Sequence, residues 1–534
     1  MAKQSILTIF LVVFTIRLLN ALTIRTFFQA DEYWQALEPA HYAVFNTGYL
    51  TWEWKQKIRS FLHPLIFAVA YKVCELFNLE YAWVLALPKV FSAFMVTIGE
   101  VGIYTWVDTW TGNTRLAQLT LAASLVSAFN WFAITRTFSN TFELVLTAWA
   151  LNFWPIGSTI SSSSGLNFKR FAFSLGLACF SCLVRPTNGV IWLVLGGRLF
   201  WVQKSKVSIL LLVTLVTTAC IIINASVDHW FYGELVFPLL KFLEFNVVQG
   251  LSAFYGINSW SFYVVQGVPI LLLTLLPFTF HGVYILFGGL ITDLTLRKKT
   301  HILVEVVCLY LLVFSLIQHK EFRFVYPLKP IFLLLTAISV TRLSKTWNPQ
   351  ILKTVTVAIV GLNIFLGYYF TIIHESGVIE VINVLRTAVL NEGSNYAVKP
   401  SIGFLTPCHS TPFQSHFHLD PDTAHIWFLT CEPPLVEQHE PGFVLEEYQD
   451  ESDEFYADPT GFLDSNFRDI STGLAPEGKY PHDWPKYLVF FEALESTMNG
   501  YLGSEHYVPY ARLFNSRFHW DERRAGDVIV YKRV

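Results

Sequence analysis

The chain has 534 residues, of which 53% are hydrophobic and only 14% are charged. Soluble domains carry about 25% charged residues, so the composition excludes an ordinary soluble protein and indicates a polytopic membrane protein. An aromatic share of 16% is typical of the Trp and Tyr belts at membrane interfaces. The net charge of −3 provides no basic surface for nucleic acid, which we exclude as a partner.

Apolar segments long enough to cross a bilayer recur along the chain, and hydropathy predicts about eleven transmembrane helices. The first is interpreted as an uncleaved span because no small-residue cleavage site follows it. The predicted spans lie near residues 5–22, 82–107, 112–131, 138–156, 170–184, 188–202, 207–226, 268–291, 301–317, 324–341 and 350–373.

Basic residues cluster in short loops that an eleven-span topology places on one side of the membrane. These loops contain Lys169 and Arg170, Lys204 and Lys206, Arg297 to Lys299, and Arg342 and Lys345. The positive-inside rule makes that side cytosolic, together with the N-terminus. The opposite side holds residues 23–81 and everything after about residue 374. We therefore expect a multi-pass protein of the endoplasmic reticulum membrane with a luminal C-terminus.

The C-terminal region differs in composition from the rest and is rich in turn signals. Residues 487–493 and 527–531 are expected to form short strands. This pattern predicts a transmembrane domain over 1–373 and a small mixed α/β luminal domain over 374–534. Cys408 and Cys431 are the only cysteines of that domain, and a luminal location would allow a disulfide between them.

The first luminal loop begins with an acidic pair, Asp31 and Glu32, immediately after the first predicted span. Ionisable groups at a membrane exit are functional candidates, and an enzyme acting on a lipid-borne substrate needs a base there. Glu38 and His41 share a helix face with Trp34, which predicts interfacial helices in this loop. The alternative is a charged surface helix with Trp anchors.

A second cluster lies in the luminal turn formed by His319, Lys320, Glu321, Phe322 and Arg323. Cations on the luminal side oppose the positive-inside bias and favour an anionic partner such as a phosphate. The alternative is snorkelling at a helix end.

Two lone luminal arginines, Arg136 and Arg185, are candidates for phosphate or sugar contacts or for simple helix caps. A metal site is not expected. Asp420 and Asp422 match a nucleotide-sugar metal motif, and a strand would align them with His416 and His418. A solvated edge is the favoured interpretation of these four residues.

The acidic pair, residues 51–59 and the 319–327 turn together resemble the GT-C membrane glycosyltransferases that use dolichol-phosphate-mannose, and within them glycosyltransferase family 22. Two segments are similar to the GPI-anchor branch of that family, which adds the third mannose of the anchor core. These are Thr-Trp-Glu-Trp at 51–54 and Thr-Pro-Cys-His-Ser-Thr-Pro at 406–412. Gln29 and Ala30 stand where the family usually carries His-Pro.

The resemblance implies an inverting α-1,2-mannosyltransferase with dolichol-phosphate-mannose as donor and a GPI precursor glycolipid as acceptor. Asp31 is then the catalytic base, and Glu32 orients the acceptor or Asp31. His319, Lys320 and Arg323 hold the donor phosphate, so neither a cofactor nor a metal is implied. Further donor or acceptor contacts are expected from Trp52, Glu53, Arg59, Arg136 and Arg185.

Two other functions remain open from the sequence. A sister enzyme that mannosylates the lipid-linked N-glycan precursor, or adds a fourth GPI mannose, would share the fold, donor and base. A multi-span transporter would instead show paired, broken helices in two related halves. Protein partners and oligomeric state are not indicated by any sequence feature.

Overall fold

The protein divides into two compact units in a computed structural model that describes residues 5–392, 399–436, 443–469 and 474–534. The helical unit comprises Met1–Thr23, Gln56–Ala70 and Ala86–Tyr368, and the sheet unit comprises Ile24–Lys55, Tyr71–Leu85 and Tyr369–Val534. This grouping differs from the expected division after residue 373, because residues 24–55 and 71–85 join the C-terminal region.

Seven helices of the described chain are long and apolar enough to cross a membrane. They span Ile6–Thr23, Tyr81–Thr111, Lys206–Tyr232, Tyr263–Phe287, Leu294–Leu316, Phe322–Thr346 and Pro349–Glu392. The four other predicted spans coincide with shorter helices, Thr114–Val126, Ser139–Phe153, Phe168–Val184 and Gly189–Val202. The multi-span character is confirmed, and the number of eleven crossings stays a prediction.

A capping residue explains why one predicted span is short. The apolar segment near 112–131 breaks at Ser127, whose hydroxyl accepts from the Asn130 amide. This hydrogen bond begins a new helix, Ala128–Ala133. Further short helices of the unit are Ile156–Ile160 and Pro238–Leu243, with 3₁₀ turns at Pro186–Asn188, Leu251–Tyr255 and Phe322–Leu328.

A buried ion pair ties the first helix into the helical unit. Arg17 Nε and Nη2 donate to the Glu100 carboxylate at 2.8 and 2.5 Å, and both side chains are 0% exposed. Ser124 Oγ donates to the same carboxylate at 2.6 Å and accepts from the side-chain Nδ2 of Asn130 at 2.8 Å. Tyr326 completes the chain of hydrogen bonds by donating to Asn130 Oδ1. Such a network specifies helix register because each buried charge needs its partner.

The sheet unit contains a five-stranded mixed sheet in the order β2-β1-β3-β5-β4. The strands are β1 (Ser401–Phe404), β2 (His425–Phe428), β3 (Tyr487–Phe491), β4 (Tyr507–Ser516) and β5 (Gly526–Arg533). β1 pairs in parallel with β2 and β3, while β5 is antiparallel to β3 and β4. All five residues of β3 are buried, which explains its central position. The small C-terminal sheet is confirmed.

Helices and an aromatic core surround this sheet. The core includes Phe455, Phe462, Phe490 and Met498. The helices of the unit are Glu38–Phe45, Trp52–Lys55, Gly377–Glu392, Gln414–Phe417, Glu451–Ala457, Pro459–Asn466 and Glu495–His506. Helix Pro64–Leu76 runs from the helical unit into the sheet unit.

Replacing Glu100 with Ala is expected to destabilise the protein by about 3 kcal/mol, because it leaves the Arg17 charge buried without its carboxylate. Thermal unfolding in detergent measures the loss. The matched control is Glu244→Ala, since Glu244 pairs with Lys241 outside the seven long apolar helices and both side chains are more than 50% exposed. That variant should cost less than about 1 kcal/mol. Equal losses would contradict the structural role of the buried pair.

Candidate active site

The acidic pair of the sheet unit sits at the start of a helical segment. Amide groups of Glu32, Tyr33 and Trp34 donate to the carbonyls of Gln29 and Ala30. A π-helical turn, Tyr33–Leu37, then leads into Glu38–Phe45. Glu32 is only 6% exposed, whereas Asp31 is half-buried. Asp31 is therefore the acid of the pair that solvent and a substrate can reach.

Trp34 connects the acidic pair to both segments that characterise the GPI-anchor branch. Its indole Nε1 donates to the Thr411 carbonyl at 3.0 Å, and its ring lies 4.4 Å from that of His409. The indole of Trp54 donates to the Trp34 carbonyl at 3.0 Å. The 51–54 and 406–412 segments thus meet one turn beyond Asp31.

His409 is a site residue that sequence reasoning did not single out. Its backbone is left-handed, with φ of 56°, and Nδ1 lies 3.6 Å from Cys431 Sγ. Burial lowers the pKa of His409 to about 4, against the opposing effect of the Asp31 charge. His409 is therefore neutral at neutral pH and lies near Asp31, the candidate base. A histidine between a cysteine and a proline-rich turn was the available sequence signal.

Cys408 and Cys431 form a disulfide, with their Cα atoms 5.8 Å apart. Together with His409 they are the one potential metal-ligating cluster in the described part of the chain. Because the disulfide removes both thiolates, these residues do not offer a metal site.

Residues 416–422 do not form the strand that would align their histidines and aspartates, and Asp420 and Asp422 are exposed, as the favoured interpretation of a solvated edge predicts. Residues Gln414–Phe417 form a helical turn, and Asp422 pairs with Lys399 at 2.5 Å. The segment folds this way because Glu38 accepts from the Phe413 and Ser415 amides and from the Ser415 hydroxyl.

The helix face that carries Trp34, Glu38 and His41 is buried against residues 409–418 of the same unit. Burial raises the pKa of Glu38 to about 7, although hydrogen bonds from Ser415 and Phe413 act in the opposite direction. His41 Nδ1 lies 3.2 Å from the Thr47 carbonyl and Nε2 lies 2.9 Å from His418 Nδ1. His41 Nδ1 must donate to the carbonyl, and one of the two facing nitrogens must accept, so the two rings cannot both be protonated.

Trp52 and Glu53 also lie in the sheet unit, close to the acidic pair. Gln35 Nε2 donates to the Glu53 carboxylate at 3.1 Å. Trp52 is buried and lines a small cleft. The other residues that line this cleft are Tyr49, Thr51, His409, Thr430, Cys431 and Glu432.

The cationic turn of the helical unit is organised by its single acid. Glu321 accepts from Arg323 Nε at 2.5 Å and Nη2 at 2.9 Å, and His319 Nε2 lies 3.3 Å away. Despite burial, the charge of Arg323 and the bond from His319 hold the pKa of Glu321 well below its usual range. Burial lowers the pKa of His319, but the hydrogen bond and charge of Glu321 raise it overall.

Arg185 joins this turn, which the sequence did not predict. Its guanidinium lies 5.1 Å from the centre of the Phe324 ring, and Arg323 lies 5.9 Å from the same ring. Arg185 also donates to Ser139 Oγ at 3.2 Å. Lys320 Nζ donates to the Asn258 carbonyl at 2.8 Å. Of the three predicted phosphate ligands, Lys320 therefore binds backbone while His319 and Arg323 bind Glu321.

Arg136 and Arg59, the two remaining candidates of the helical unit, each lie in a turn held by a hydrogen bond to a backbone carbonyl. Arg136 Nε donates to the Phe132 carbonyl at 2.8 Å and its guanidinium stacks on the Phe132 ring, which is the helix-end role named as its alternative. The Arg59 carbonyl accepts from Tyr232 at 2.7 Å, and its guanidinium lies 5.8 Å from the Phe242 ring.

Comparison with known proteins decides the family. The sequence profile of the Alg9-like mannosyltransferase family matches residues 8–418. The chain belongs to this mannosyltransferase family. It is a membrane glycosyltransferase, as predicted, and membership excludes the transporter alternative.

Relatives over the full length narrow the position within the family. The chain is 42% identical to GPI mannosyltransferase 3 of Candida albicans, with all of both chains covered. It is 42% identical to GPI mannosyltransferase 3 of Debaryomyces hansenii, over 98% of this chain and 92% of that one. The corresponding protein of Saccharomyces cerevisiae is 35% identical over 98% and 96%. The predicted assignment to the GPI-anchor branch is confirmed.

A solved structure shares the fold of this family member. ArnT from Cupriavidus metallidurans, bound to undecaprenyl phosphate, superposes with a TM-score of 0.56 at 12% identity. The match covers 98% of this chain and 97% of ArnT. The same protein in its apo state has a TM-score of 0.53. Both support the predicted fold class of helical membrane glycosyltransferases.

The buried histidine pair should make the sheet unit sensitive to acid. Burial, with the neighbouring His418, lowers the pKa of His41 from 6.5 to about 3, so the unfolded chain binds the proton more readily. The contribution of His41 to the free energy of unfolding is fully present above pH 6.5. It falls by about 1.4 kcal/mol per pH unit as the pH drops from 6.5 towards 3. Thermal unfolding at pH 7 and pH 5 measures the loss.

The variant His41→Gln should show a smaller loss between these pH values, because it has no proton to bind. His425→Gln, at an exposed position of β2, is the matched control and should keep the wild-type pH dependence. An unchanged dependence in His41→Gln would contradict this role of the pair.

Proposed function

We propose that the protein is the α-1,2-mannosyltransferase that adds the third mannose to the GPI precursor glycolipid, with dolichol-phosphate-mannose as donor. The observation that carries this proposal is the near-full-length similarity to proteins named GPI mannosyltransferase 3. The arrangement near Asp31 supports it, because both segments that resemble the GPI-anchor branch bond to Trp34, three residues beyond that acid.

Asp31 acts as the general base in a single displacement. Its carboxylate takes the proton from the acceptor 2-hydroxyl, and that oxygen forms a bond to the anomeric carbon while the bond to the phosphate oxygen breaks. The configuration inverts because attack and departure occur on opposite faces. Asp31 suits this role because it is half-buried, whereas the buried Glu32 is placed to orient Asp31 or the acceptor.

The departing dolichyl phosphate gains negative charge, which the cationic turn offsets. His319, Lys320, Arg323 and Arg185 carry up to four positive charges against two nearby acids, Glu321 and Glu143. Bidentate and ring contacts hold the Arg323 guanidinium in place, so little reorganisation is needed when the phosphate arrives. Fixed cations of this kind perform the task that a divalent metal performs in nucleotide-sugar enzymes.

The reaction takes place in the lumen of the endoplasmic reticulum, with the N-terminus in the cytosol and the C-terminus luminal. The disulfide between Cys408 and Cys431 supports this orientation, because disulfides persist in that oxidising compartment. Trp52 and Glu53 contact the acceptor glycan, and Arg59 provides a further substrate contact. Aromatic and carboxylate side chains bind the faces and hydroxyls of sugars.

Asp31→Asn is expected to lower the rate of mannose transfer by about 10²–10⁴-fold, because it keeps the size of the side chain and removes the base. Transfer from labelled dolichol-phosphate-mannose to the GPI precursor in microsomes measures the rate. Asp420→Asn at an exposed position is the matched control and should retain wild-type activity. A normal rate for Asp31→Asn would rule out the assigned base.

Activity is expected to survive a strong chelator, because fixed cations hold the phosphate. Arg323→Ala should raise KM for the donor by about tenfold or more, while Arg468→Ala, in an exposed ion pair with Asp483, should leave it unchanged. Dolichol-phosphate-mannose should support transfer and a nucleotide-mannose should not. Loss of activity on chelation and its recovery with manganese would refute the metal-free mechanism.

A further inference from the structure

His63 is a buried imidazole with no assigned role. Its side chain is 3% exposed, and within the described part of the chain neither Nδ1 nor Nε2 has a hydrogen-bond partner. The ring stacks on Phe142 with centroids 5.8 Å apart and meets Phe67 edge-on at 5.3 Å. Leaving two buried nitrogens without hydrogen bonds costs free energy. We therefore expect a ligand that forms hydrogen bonds with both.

The position of His63 is set by backbone contacts and not by its own side chain. The Phe61 amide donates to Asp228 Oδ1 at 2.7 Å, and Ser60 Oγ donates to the same oxygen at 2.9 Å. Asn224 holds the other carboxylate oxygen at 2.7 Å. The turn at 59–61 is therefore anchored to the helix Lys206–Tyr232 by hydrogen bonds that do not involve the His63 imidazole.

The ring contact with Phe142 places His63 against the helix Ser139–Phe153, which also carries Glu143, the acid that pairs with Arg185. Phe142, on which His63 stacks, precedes Glu143, whose carboxylate lies 3.8 Å from Arg185 Nε. Burial, together with the charge of Arg185, lowers the pKa of His63 to about 3. The imidazole is therefore neutral at neutral pH and offers one N–H donor and one acceptor nitrogen.

We propose that His63 is a substrate-binding residue that contacts the mannosyl-phosphate head of the lipid donor, beside Arg185. One ring nitrogen donates to a phosphate oxygen, which only accepts, and the other accepts from a hydroxyl of the mannose. A ligand that presents both groups side by side satisfies both nitrogens, which a bare phosphate does not. This inference rests on the proposed function, since it assumes a glycosyl-phosphate donor.

The test compares substitutions that separate hydrogen bonding from packing. His63→Phe keeps a ring against Phe142 and removes both nitrogens, whereas His63→Gln restores one donor and one acceptor. His301→Phe is the matched control, because that imidazole also packs edge-on against a phenylalanine, Phe287, at 5.3 Å. KM and kcat for dolichol-phosphate-mannose and KM for the GPI precursor are measured for each purified variant, together with its thermal unfolding.

We expect His63→Phe to raise KM for the donor about tenfold, while KM for the acceptor and the unfolding temperature stay at wild-type values. His63→Gln should recover most of this loss, and His301→Phe should behave as wild type. Inhibition by dolichyl phosphate, mannose 1-phosphate and inorganic phosphate identifies the group recognised. Only mannose 1-phosphate carries both phosphate and sugar without the lipid, and it should lose the most potency in His63→Phe.

A donor KM for His63→Phe within twofold of wild type would show that His63 only packs, and would overturn the inference. If His63→Phe fails to fold, the comparison passes to His63→Leu and His63→Gln, and equal donor KM values for these two would overturn it as well. Failure of the proposed function is distinguishable, because the wild-type enzyme itself would then transfer no mannose from dolichol-phosphate-mannose.

Discussion

The carboxylate of Glu38 is the contact on which the organisation of the sheet unit depends. It accepts hydrogen bonds from two backbone amides and one hydroxyl in the segment Phe413 to Ser415. These bonds join the segment after the first helix to the C-terminal region across more than 370 residues of sequence. A carboxylate buried in this way is stable only because every donor is supplied by the partner segment. Asp31 lies two turns before it and inherits this placement.

In the 319–323 turn of the helical unit, charged side chains pair with one another. Glu321 is surrounded by cations and holds Arg323 in a bidentate pair, so the turn keeps an excess of positive charge while each group retains a partner. Arg185 adds to that excess from a neighbouring helix. In the proposed phosphate site, Glu321 already holds the cationic side chains in place. Little free energy is then needed to reorganise them when a phosphate binds. His63 adds a neutral, bifunctional group to the same proposed site.

Local patterns in the sequence were sufficient for several elements. Strand periodicity predicted residues 487–493 and 527–531, because alternating and continuous apolar runs depend only on neighbours along the chain. Hydropathy located the helices, but it overestimated length near 112–131. Ser127 caps a new helix there, and a hydroxyl inside an apolar run has little effect on a hydropathy average. The sequence also could not show that Glu38 bonds to Ser415 in the helical turn Gln414–Phe417, which begins the 416–422 segment, because the two residues lie far apart along the chain.

The sequence by itself determined the class of protein, the family resemblance and the residues most suited to chemistry, because composition, apolar runs and short motifs are local properties. Only the tertiary structure decided which of those residues meet. His409 reaches Trp34, and Arg185 reaches Phe324, through contacts between segments far apart in sequence. The unpaired nitrogens of His63 are likewise invisible in sequence, because the lack of a partner is a property of the whole packed surroundings and not of any motif.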